Sequence, residues 1–316
     1  MNRIVLSILM FFLISCHSDK AIPESTTNDQ LHIVFVTGDD EYRSEESMPM
    51  LGKILKRELG AKISIAYSMT GEYIDPNRSD NIEGLEALET ADIMVMFTRF
   101  RALPDKQLKY ITDFADSGNP MVGFRTATHA FLYEDDESKA SMNNEWPTEI
   151  FGQQWIAHHG HFDDGDSPLT SVDLIPEKAN HPILNGVKPF EAYSWLYHVE
   201  GGEWQVYGDR EFLIEGKSLR SKHQENNKLD QYPITNPVAW TKSHKGNRIF
   251  FTTLGHPYDF LNENMRKIAL NGIYWALGKE GMIPDGGVNA DYASEYNPNN
   301  SGFGQKFKPN LKPEKI

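Results

Sequence analysis

The stretch Asn119–Tyr133 reads NPMVGFRTATHAFLY, and it decides the predicted fold. It opens with an apolar run, passes through Gly123, and becomes apolar again at Ala130. Between these apolar runs lies a polar cluster of Arg125, Thr126, Thr128 and His129. The order predicts a buried strand, a tight turn and a helix, with the polar groups at the carboxyl edge of a sheet, where open α/β folds bind ligands. A plain strand–loop–helix corner, with hydroxyl groups that cap the helix, explains the stretch equally well.

Strand-like and helix-like segments alternate around this stretch. The predicted strands are residues 31–37, 62–67, 93–97 and 120–124, and the predicted helices are residues 48–59 and 104–117. The strands are rich in apolar and β-branched residues, as buried parallel strands are. The alternation therefore predicts an α/β protein with a doubly wound parallel sheet and right-handed crossovers.

The second half of the chain has a looser pattern. Further strands are predicted at 169–174, 195–199, 212–215, 237–240 and 247–254, with an insertion loop at 201–236 and a closing helix at 265–277. The pair Lys245-Gly246 suits a hairpin turn. Residues 281–316 are rich in Pro, Asn, Gly and Lys, and they predict an extended C-terminal tail that wraps the surface or stays loose.

Composition narrows the function classes. The 316 residues carry 45 acidic and 31 basic side chains, a net charge of −14. An acidic chain argues against nucleic-acid binding, which needs a basic surface. The hydrophobic share of 39% is enough for a core, and the length suits one large domain or two small ones.

The N-terminus has the pattern of an export signal. Arg3 precedes the apolar run 4–14, which is too short to span a bilayer comfortably. The run ends in Leu-Ile-Ser-Cys16, which resembles the lipobox of bacterial lipoproteins, where the cysteine is lipidated. We therefore predict a signal peptide at 1–16, a linker at 17–30, and a lipoprotein anchored to the membrane, facing the periplasm or the cell exterior. A plain secretory signal with an incidental cysteine is the alternative.

Cys16 is the only cysteine of the sequence. A disulfide within the chain, a cysteine nucleophile and a thiolate zinc site are therefore excluded.

The histidines are the main chemical signal. His158, His159 and His161 lie in AHHGHF, and His256 lies in TLGHP after an apolar strand. Imidazole titrates near neutral pH and binds transition metals. His159 and His161 share a face if the segment is extended, so a divalent metal such as zinc is one interpretation. Hydrogen-bonded loop histidines without a metal are the other.

Three strand ends carry polar residues at 40–43, 125–129 and 256–259. They would meet if their strands are neighbours in the sheet. The motifs GxGxxG, GxxxxGK[ST] and GxSxG are absent from the sequence. Aromatic residues such as Trp155 and Tyr197 are frequent in the middle of the chain, where they either fill the core or stack on sugar rings.

Together these pieces resemble the ThuA-like (trehalose utilisation) family. The matching segments, which span residues 31–278, are VTGDDEY, GFRTATHAF, FGQQWIAHHGH, EAYSWLYH, PVAWT, NRIFFTTLGHPYDF and NGIYWALG. The resemblance implies a flavodoxin-like, mostly parallel sheet similar to class I glutamine amidotransferases, with inserted loops. It implies a ThuA-like domain at 31–280, followed by the C-terminal tail 281–316.

The chain departs from the amidotransferases at one position. Their nucleophilic cysteine lies in Gly-x-Cys-x-Gly, and the matching position here is Arg125, followed by Thr126. Glutamine amidotransferase activity is therefore excluded.

The resemblance also implies a role in the catabolism of trehalose-like disaccharides or 3-keto-glycosides, which a partner sugar 3-dehydrogenase would produce. On this hypothesis the catalytic residues are Arg125, Thr126, His129, His159 and His256, with the histidines as base and acid and Arg125 at an oxyanion. The predicted substrate-binding residues are Asp40, Tyr42, Arg43, Trp155 and Tyr197. A divalent metal, held by some of the histidines, with His159 and His161 as the predicted ligands, and by Asp39 or Asp40, is a second route to the same cleavage.

Two other functions stay open from the sequence. The first is a lipid-anchored carbohydrate-binding protein without catalysis, which would share the fold and the aromatic residues. The second is an ordinary glycosidase, which needs two carboxylates on either side of the bond. The candidate carboxylates for that reaction are Asp39, Asp40, Glu41 and Glu45.

Overall fold

The computed structural model of the protein describes residues 30–316. The predicted signal peptide, its lipidation site Cys16 and the linker up to residue 29 lie outside the described residues. Within residues 30–316, no helix has both the length and the apolar character needed to cross a membrane.

The described chain forms a central sheet with helices on both faces. The strands are β1 (His32–Gly38), β2 (Lys62–Thr70), β3 (Tyr73–Ile74), β4 (Ile82–Glu83), β5 (Ile93–Thr98), β6 (Met121–Phe124), β7 (Thr170–Leu174), β8 (Phe190–Ala192), β9 (Glu211–Ser218), β10 (Thr235–His244) and β11 (Asn247–Thr252). The helices are α1 (Ser44–Leu59), α2 (Asp105–Asp116), α3 (Ser141–Phe151), α4 (Lys222–Glu225) and α5 (Glu263–Ala276).

The central part of this sheet is parallel. The strand order is β3-β2-β1-β5-β6-β11-β10-β9-β7-β8, with β4 paired to β2. The run from β2 through β1, β5 and β6 to β11 is parallel, whereas β10, β9, β7 and β8 extend it with antiparallel pairs. The mostly parallel α/β fold predicted from the alternating pattern is confirmed.

Alternate residues of β1 face the two halves of the core. Ile33 and Phe35 pack in the cluster that includes the inner faces of α1 and α5. Val34 and Val36 pack in the cluster that includes α2 and α3. Because apolar residues occupy both faces, this strand reads as a continuous hydrophobic run, and the sheet is doubly wound.

The hairpin between β10 and β11 turns at the predicted pair. Lys245 and Gly246 have φ angles of 49° and 84°. Two successive residues with positive φ make the type I′ turn, whose twist matches that of antiparallel strands.

Three local predictions were wrong. Residues 195–199 are not a strand of the sheet, because Leu196 and His198 bond instead to the segment Ala157–His159. The predicted insertion loop 201–236 contains β9, which pairs with both β7 and β10. The turn after β6 continues as a 3₁₀ helix, Arg125–His129, and the next α-helix begins only at Ser141.

The C-terminal tail wraps the surface and is held at several points. Ile74 donates its backbone N–H to Leu311, and Gly302 donates to the carbonyl of Glu41, with N···O distances of 2.8 Å in both cases. Ile283 and Val288 are buried against the core. The tail therefore covers the molecule from α5 to the loop after β1.

Gly123 provides a test of this packing. A Cβ atom at Gly123 would lie 2.6 Å from a ring carbon of Phe151 and 2.7 Å from a ring carbon of Phe251. We expect Gly123→Ala to lower the free energy of unfolding by about 1–3 kcal/mol, because the overpacked rings must shift. Chemical denaturation measures this value. Gly281→Ala is the control, since nothing lies within 4 Å of its added Cβ; equal values for the two variants would contradict the packing.

Candidate active site

A cavity of about 520 Å³ lies where β1, β5 and β6 end. Glu41 and Tyr42 follow β1, Arg99 and Phe100 follow β5, and His129 ends the turn after β6. The strands β1 and β6 both pair with β5, so parallel strand ends bring these side chains together.

Two later parts of the chain complete the cavity. The middle of the chain and the C-terminal tail supply Trp155, His158, the loop 162–166, Trp195, Tyr197, the tail segment 300–303 and Lys306. The walls therefore combine aromatic rings with ionisable groups, as small-molecule sites commonly do.

Arg125 lies beneath the cavity and is fully buried. Its guanidinium donates to the hydroxyl of Tyr42 at 2.9 Å and to the carbonyl of Thr253 at 2.8 Å. Its Cζ lies 4.2 Å from the ring centroid of Tyr42 and 4.5 Å from that of Tyr197. These cation–π contacts and hydrogen bonds stabilise a charge that would otherwise be costly to bury. The backbone of Arg125 has a φ of 41°, an unusual conformation that is common at functional sites.

Asp39 and Thr126 fix the loop after β1. The carboxylate of Asp39 accepts the backbone N–H groups of Glu41 and Tyr42, both at 2.7 Å. Its other oxygen accepts the hydroxyl of Thr126 in a short hydrogen bond. Thr126 therefore joins the turn after β6 to the loop that carries Glu41, and its hydroxyl is occupied by this contact.

His129 is a neutral ring whose Nδ1 bonds to the hydroxyl of Thr128. When that hydroxyl donates to the carbonyl of Arg125 at 3.2 Å, its oxygen accepts from Nδ1–H of His129 at 3.1 Å. The lone pair is then on Nε2, and the hydrogen bonds of the His129 ring within residues 30–316 involve only Nδ1. Burial lowers the pKa of His129 well below its usual value, and Arg99 and Arg125 lower it further. The ring is therefore neutral at physiological pH and has a lone pair to offer, while the same shift in pKa weakens it as a base.

Glu41 and Arg99 form an ion pair in the same cavity. The guanidinium Nε of Arg99 lies 3.3 Å from a carboxylate oxygen of Glu41. Burial raises the pKa of Glu41 to about 7, although the charge of Arg99 opposes the shift. Glu41 therefore titrates near neutral pH: it is ionised in the pair with Arg99 above about pH 7 and protonated below it. Arg99 also lies 4.4 Å from the ring centroid of Phe100, whose ring is 4.9 Å from that of His129.

His158 is a second neutral histidine on the cavity wall. Its Nδ1–H donates to the carbonyl of His159 at 2.6 Å, which leaves the lone pair on Nε2. Burial lowers the pKa of His158 to about 4.

His256 lies behind the cavity wall and has no free nitrogen. The backbone N–H of Tyr258 donates to its Nδ1 at 3.1 Å, so its Nε2–H donates to the hydroxyl of Ser301 at 2.8 Å. Arg43 is buried and donates to the carbonyls of Asp40 and Gly302. Both side chains therefore hold the tail segment 300–303 in place instead of lining the cavity.

His159 and His161 lie away from the cavity walls and have separate partners. His159 Nδ1 lies 2.7 Å from the hydroxyl of Ser221, and His161 Nε2 lies 2.9 Å from a carboxylate oxygen of Glu225. In the described part of the chain, no group of three or more His, Cys, Asp or Glu side chains is arranged to hold a metal ion. A zinc site at His159 and His161 stays a prediction.

The sequence profile of the ThuA family, described as trehalose utilisation, matches residues 29–276. The chain belongs to the ThuA family. Membership suggests a role in trehalose utilisation, and hence in carbohydrate metabolism. No curated protein matches the chain.

Two solved ThuA-like proteins resemble the structure. The protein from Bacteroides uniformis is 16% identical, with a TM-score of 0.48, and the match covers 78% of this chain and 91% of that one. The protein from Parabacteroides merdae is 15% identical, with a TM-score of 0.49, and the match covers 89% of this chain and 100% of that one.

The structure of this ThuA protein shows which of the residues proposed from the sequence line the cavity and which do not. Tyr42, His129, Trp155 and Tyr197 line the cavity. Arg125, Thr126, Asp40, Arg43 and His256 support it from behind, whereas His159 and His161 lie elsewhere. The sequence analysis named Glu41 only as a carboxylate of an ordinary glycosidase and His158 only as part of AHHGHF, and it omitted Arg99 and Phe100. The strand-end rule, applied to the predicted strand 93–97 as well, would have found Arg99 and Phe100.

Tyr42 tests the support beneath the cavity. Tyr42→Phe keeps the ring over Arg125 but removes the oxygen that accepts from its guanidinium. We expect the free energy of unfolding to fall by about 1.5–3 kcal/mol, the range for a buried hydrogen bond to a charged group. Chemical denaturation measures the change. The control is Tyr207→Phe, because Tyr207 is 57% exposed. An unchanged stability of the Tyr42 variant would contradict this role.

Proposed function

We propose that this ThuA-family protein is an enzyme that cleaves the glycosidic bond of trehalose-like disaccharides in their 3-keto form. The observation that supports the proposal is a single cavity lined by His129, Glu41 and Arg99. His129 is neutral, and the carboxyl group of Glu41 has a pKa of about 7. The guanidinium of Arg99 contacts Glu41 directly and is linked to His129 through the ring of Phe100. These are a base, an acid and an oxyanion partner, the groups that a β-elimination at a 3-keto sugar needs.

In the first step, His129 Nε2 removes the proton from C2 of the keto sugar. The carbon–hydrogen electron pair forms an enolate, whose charge collects on the C3 oxygen. Arg99 stabilises that oxyanion. Arg99 takes this role instead of Arg125 because Arg99 lines the cavity, whereas Arg125 is covered by the rings of Tyr42 and Tyr197.

In the second step, the enolate restores the C3 carbonyl, a C1–C2 double bond forms, and the bond from C1 to the leaving oxygen breaks. Glu41 donates its proton to that oxygen, which releases the second sugar as an alcohol. Water then adds across the double bond. Its hydroxyl goes to C1, its proton goes to the carboxylate of Glu41, and His129 returns a proton to C2. The sum of these steps is hydrolysis.

The substrate implies a partner reaction. A 3-keto sugar is made by oxidation of a secondary alcohol, so we propose that a sugar 3-dehydrogenase supplies it. A metal-assisted cleavage uses the same substrate but predicts a loss of activity with chelator. Carbohydrate binding without catalysis predicts saturable binding and no turnover.

The deciding experiment incubates the full-length protein with trehalose and with 3-keto-trehalose and measures released glucose. We expect release from the keto form only, and unchanged release in the presence of chelator. In D₂O we also expect deuterium to appear at C2 of the keto sugar, because His129 exchanges that proton. Absence of release from both sugars would contradict the enzyme and favour the binding protein.

His129 carries the first step in this proposal. We expect His129→Gln to lower kcat/KM about 10²–10⁴-fold, the usual contribution of a general base, and to abolish deuterium exchange at C2. The matched control is His181→Gln, since the ring of His181 packs on Trp275, outside the cavity. Normal exchange in the His129 variant would assign the base to another residue.

Glu41 determines the expected pH dependence. As an acid it must be protonated, so kcat/KM should fall tenfold per pH unit above its pKa of about 7. His129 must be deprotonated, and its pKa is well below 6.5, so no acidic limb is expected near neutral pH. A pH–rate profile measures both limbs.

The variant Glu41→Gln should lose most activity and the alkaline limb with it. Glu86→Gln, at an exposed position, should keep both. An alkaline limb that persists in the Glu41 variant would contradict its role as the acid.

A further inference from the structure

We infer that the mouth of the cavity is a binding subsite for the second sugar ring of a disaccharide, formed by the exposed aromatic rings of Trp155, Phe162 and Phe303. These three residues are called the rim below. This inference rests on the proposed function, because it names the leaving group that the same cavity accepts.

The three rim rings are large apolar groups that are exposed to solvent. The exposed fractions are 38% for Trp155, 75% for Phe162 and 49% for Phe303, and all three residues line the cavity. Scattered exposed apolar residues are ordinary, but three around one opening mark a binding surface. Aromatic faces stack on the apolar faces of ligand rings, and they lose unfavourable contact with water when they do so.

Each rim ring contacts a different ionisable group of the inner cavity. Trp155 lies 5.7 Å from the ring centroid of His129, and Phe162 lies 4.9 Å from that of His158. Phe303 lies 4.9 Å from the guanidinium carbon of Arg99. Each rim ring therefore lies next to an inner group, so a ligand that reaches His129 and Arg99 has its outer part beside the rim rings.

The polar groups at the mouth suit a ring with hydroxyl groups. Asp163 and Asp166 are exposed and line the same opening, and Asn300 donates to Asp166 at 3.0 Å. Carboxylates accept hydrogen bonds from hydroxyl groups, and aromatic rings cover the carbon faces between them. A cavity of about 520 Å³ lies within the usual range for small-molecule sites.

One wall of this subsite is outside the region that matches the family. The match ends at residue 276, whereas Asn300, Phe303 and Lys306 belong to the tail. His256 and Arg43 hold that tail segment through Ser301 and Gly302. The choice of the second sugar is therefore a property of this chain's tail as well as of the shared domain.

The test is calorimetric binding of trehalose and of glucose to the full-length protein. We expect trehalose to bind more tightly than glucose. We expect Phe162→Ala and Phe303→Ala each to raise the Kd for trehalose about tenfold, because one stacking face is lost, and to leave the Kd for glucose unchanged. Phe162→Trp should restore the affinity for trehalose.

The control is Tyr207→Ala, which removes another exposed aromatic ring that lies outside the cavity. Equal affinities for trehalose and glucose in the unaltered protein would overturn the inference, as would rim variants that leave the trehalose affinity unchanged. Binding of unoxidised trehalose needs no bond cleavage. The absence of turnover together with the expected binding pattern would therefore overturn the proposed reaction and leave the subsite standing.

Discussion

The buried guanidinium of Arg125 is the interaction on which the site depends. A charge removed from water is tolerated only when hydrogen bonds and other charges or dipoles compensate it. Here the compensation comes from Tyr42 after β1, from Trp195 and Tyr197 in the middle of the chain, and from Thr253 after β11. Parts of the chain that are far apart in sequence therefore converge on one cation.

Burial in the cavity gives His129 and Glu41 different protonation states. Burial favours the neutral form of both His129 and Glu41, which leaves the histidine without a proton and the carboxyl group with one. A base and an acid at the same pH are the result. Arg99 keeps its charge beside them, because the carboxylate of Asp40 lies 3.0 Å from its guanidinium.

Much of the fold was predictable because its signals are local. The strand 31–37 is mostly apolar because both of its faces are buried. The pair Lys245-Gly246 marks the hairpin between β10 and β11, because both residues adopt positive φ angles. The meeting of the loops after β1, β6 and β11 followed from the rule for parallel strand ends, and Tyr42 and Arg125 do touch. The strand prediction for residues 195–199 was wrong because their apolar side chains are buried, as in a strand, while their backbone pairs with a loop.

The rest of the site depends on distant contacts. Glu41 is buried partly by a tail segment that follows more than 250 residues later, so no local pattern shows the change in its pKa. His256 has the position of a site residue, yet Tyr258 and Ser301 occupy both of its nitrogens. A sequence pattern places a residue at a strand end, but it does not show which atoms are already bonded there.

The tail segment 300–303 is synthesised after the other walls of the cavity, apart from Lys306. All eleven strands of the sheet precede it in the chain, so the sheet and its helices are synthesised before the last wall exists. A nascent chain thus has the scaffold first and the complete cavity only after the tail docks on His256 and Arg43. Removal of residues 300–316 would leave the buried residues Ile283 and Val288 in place and open the cavity to water.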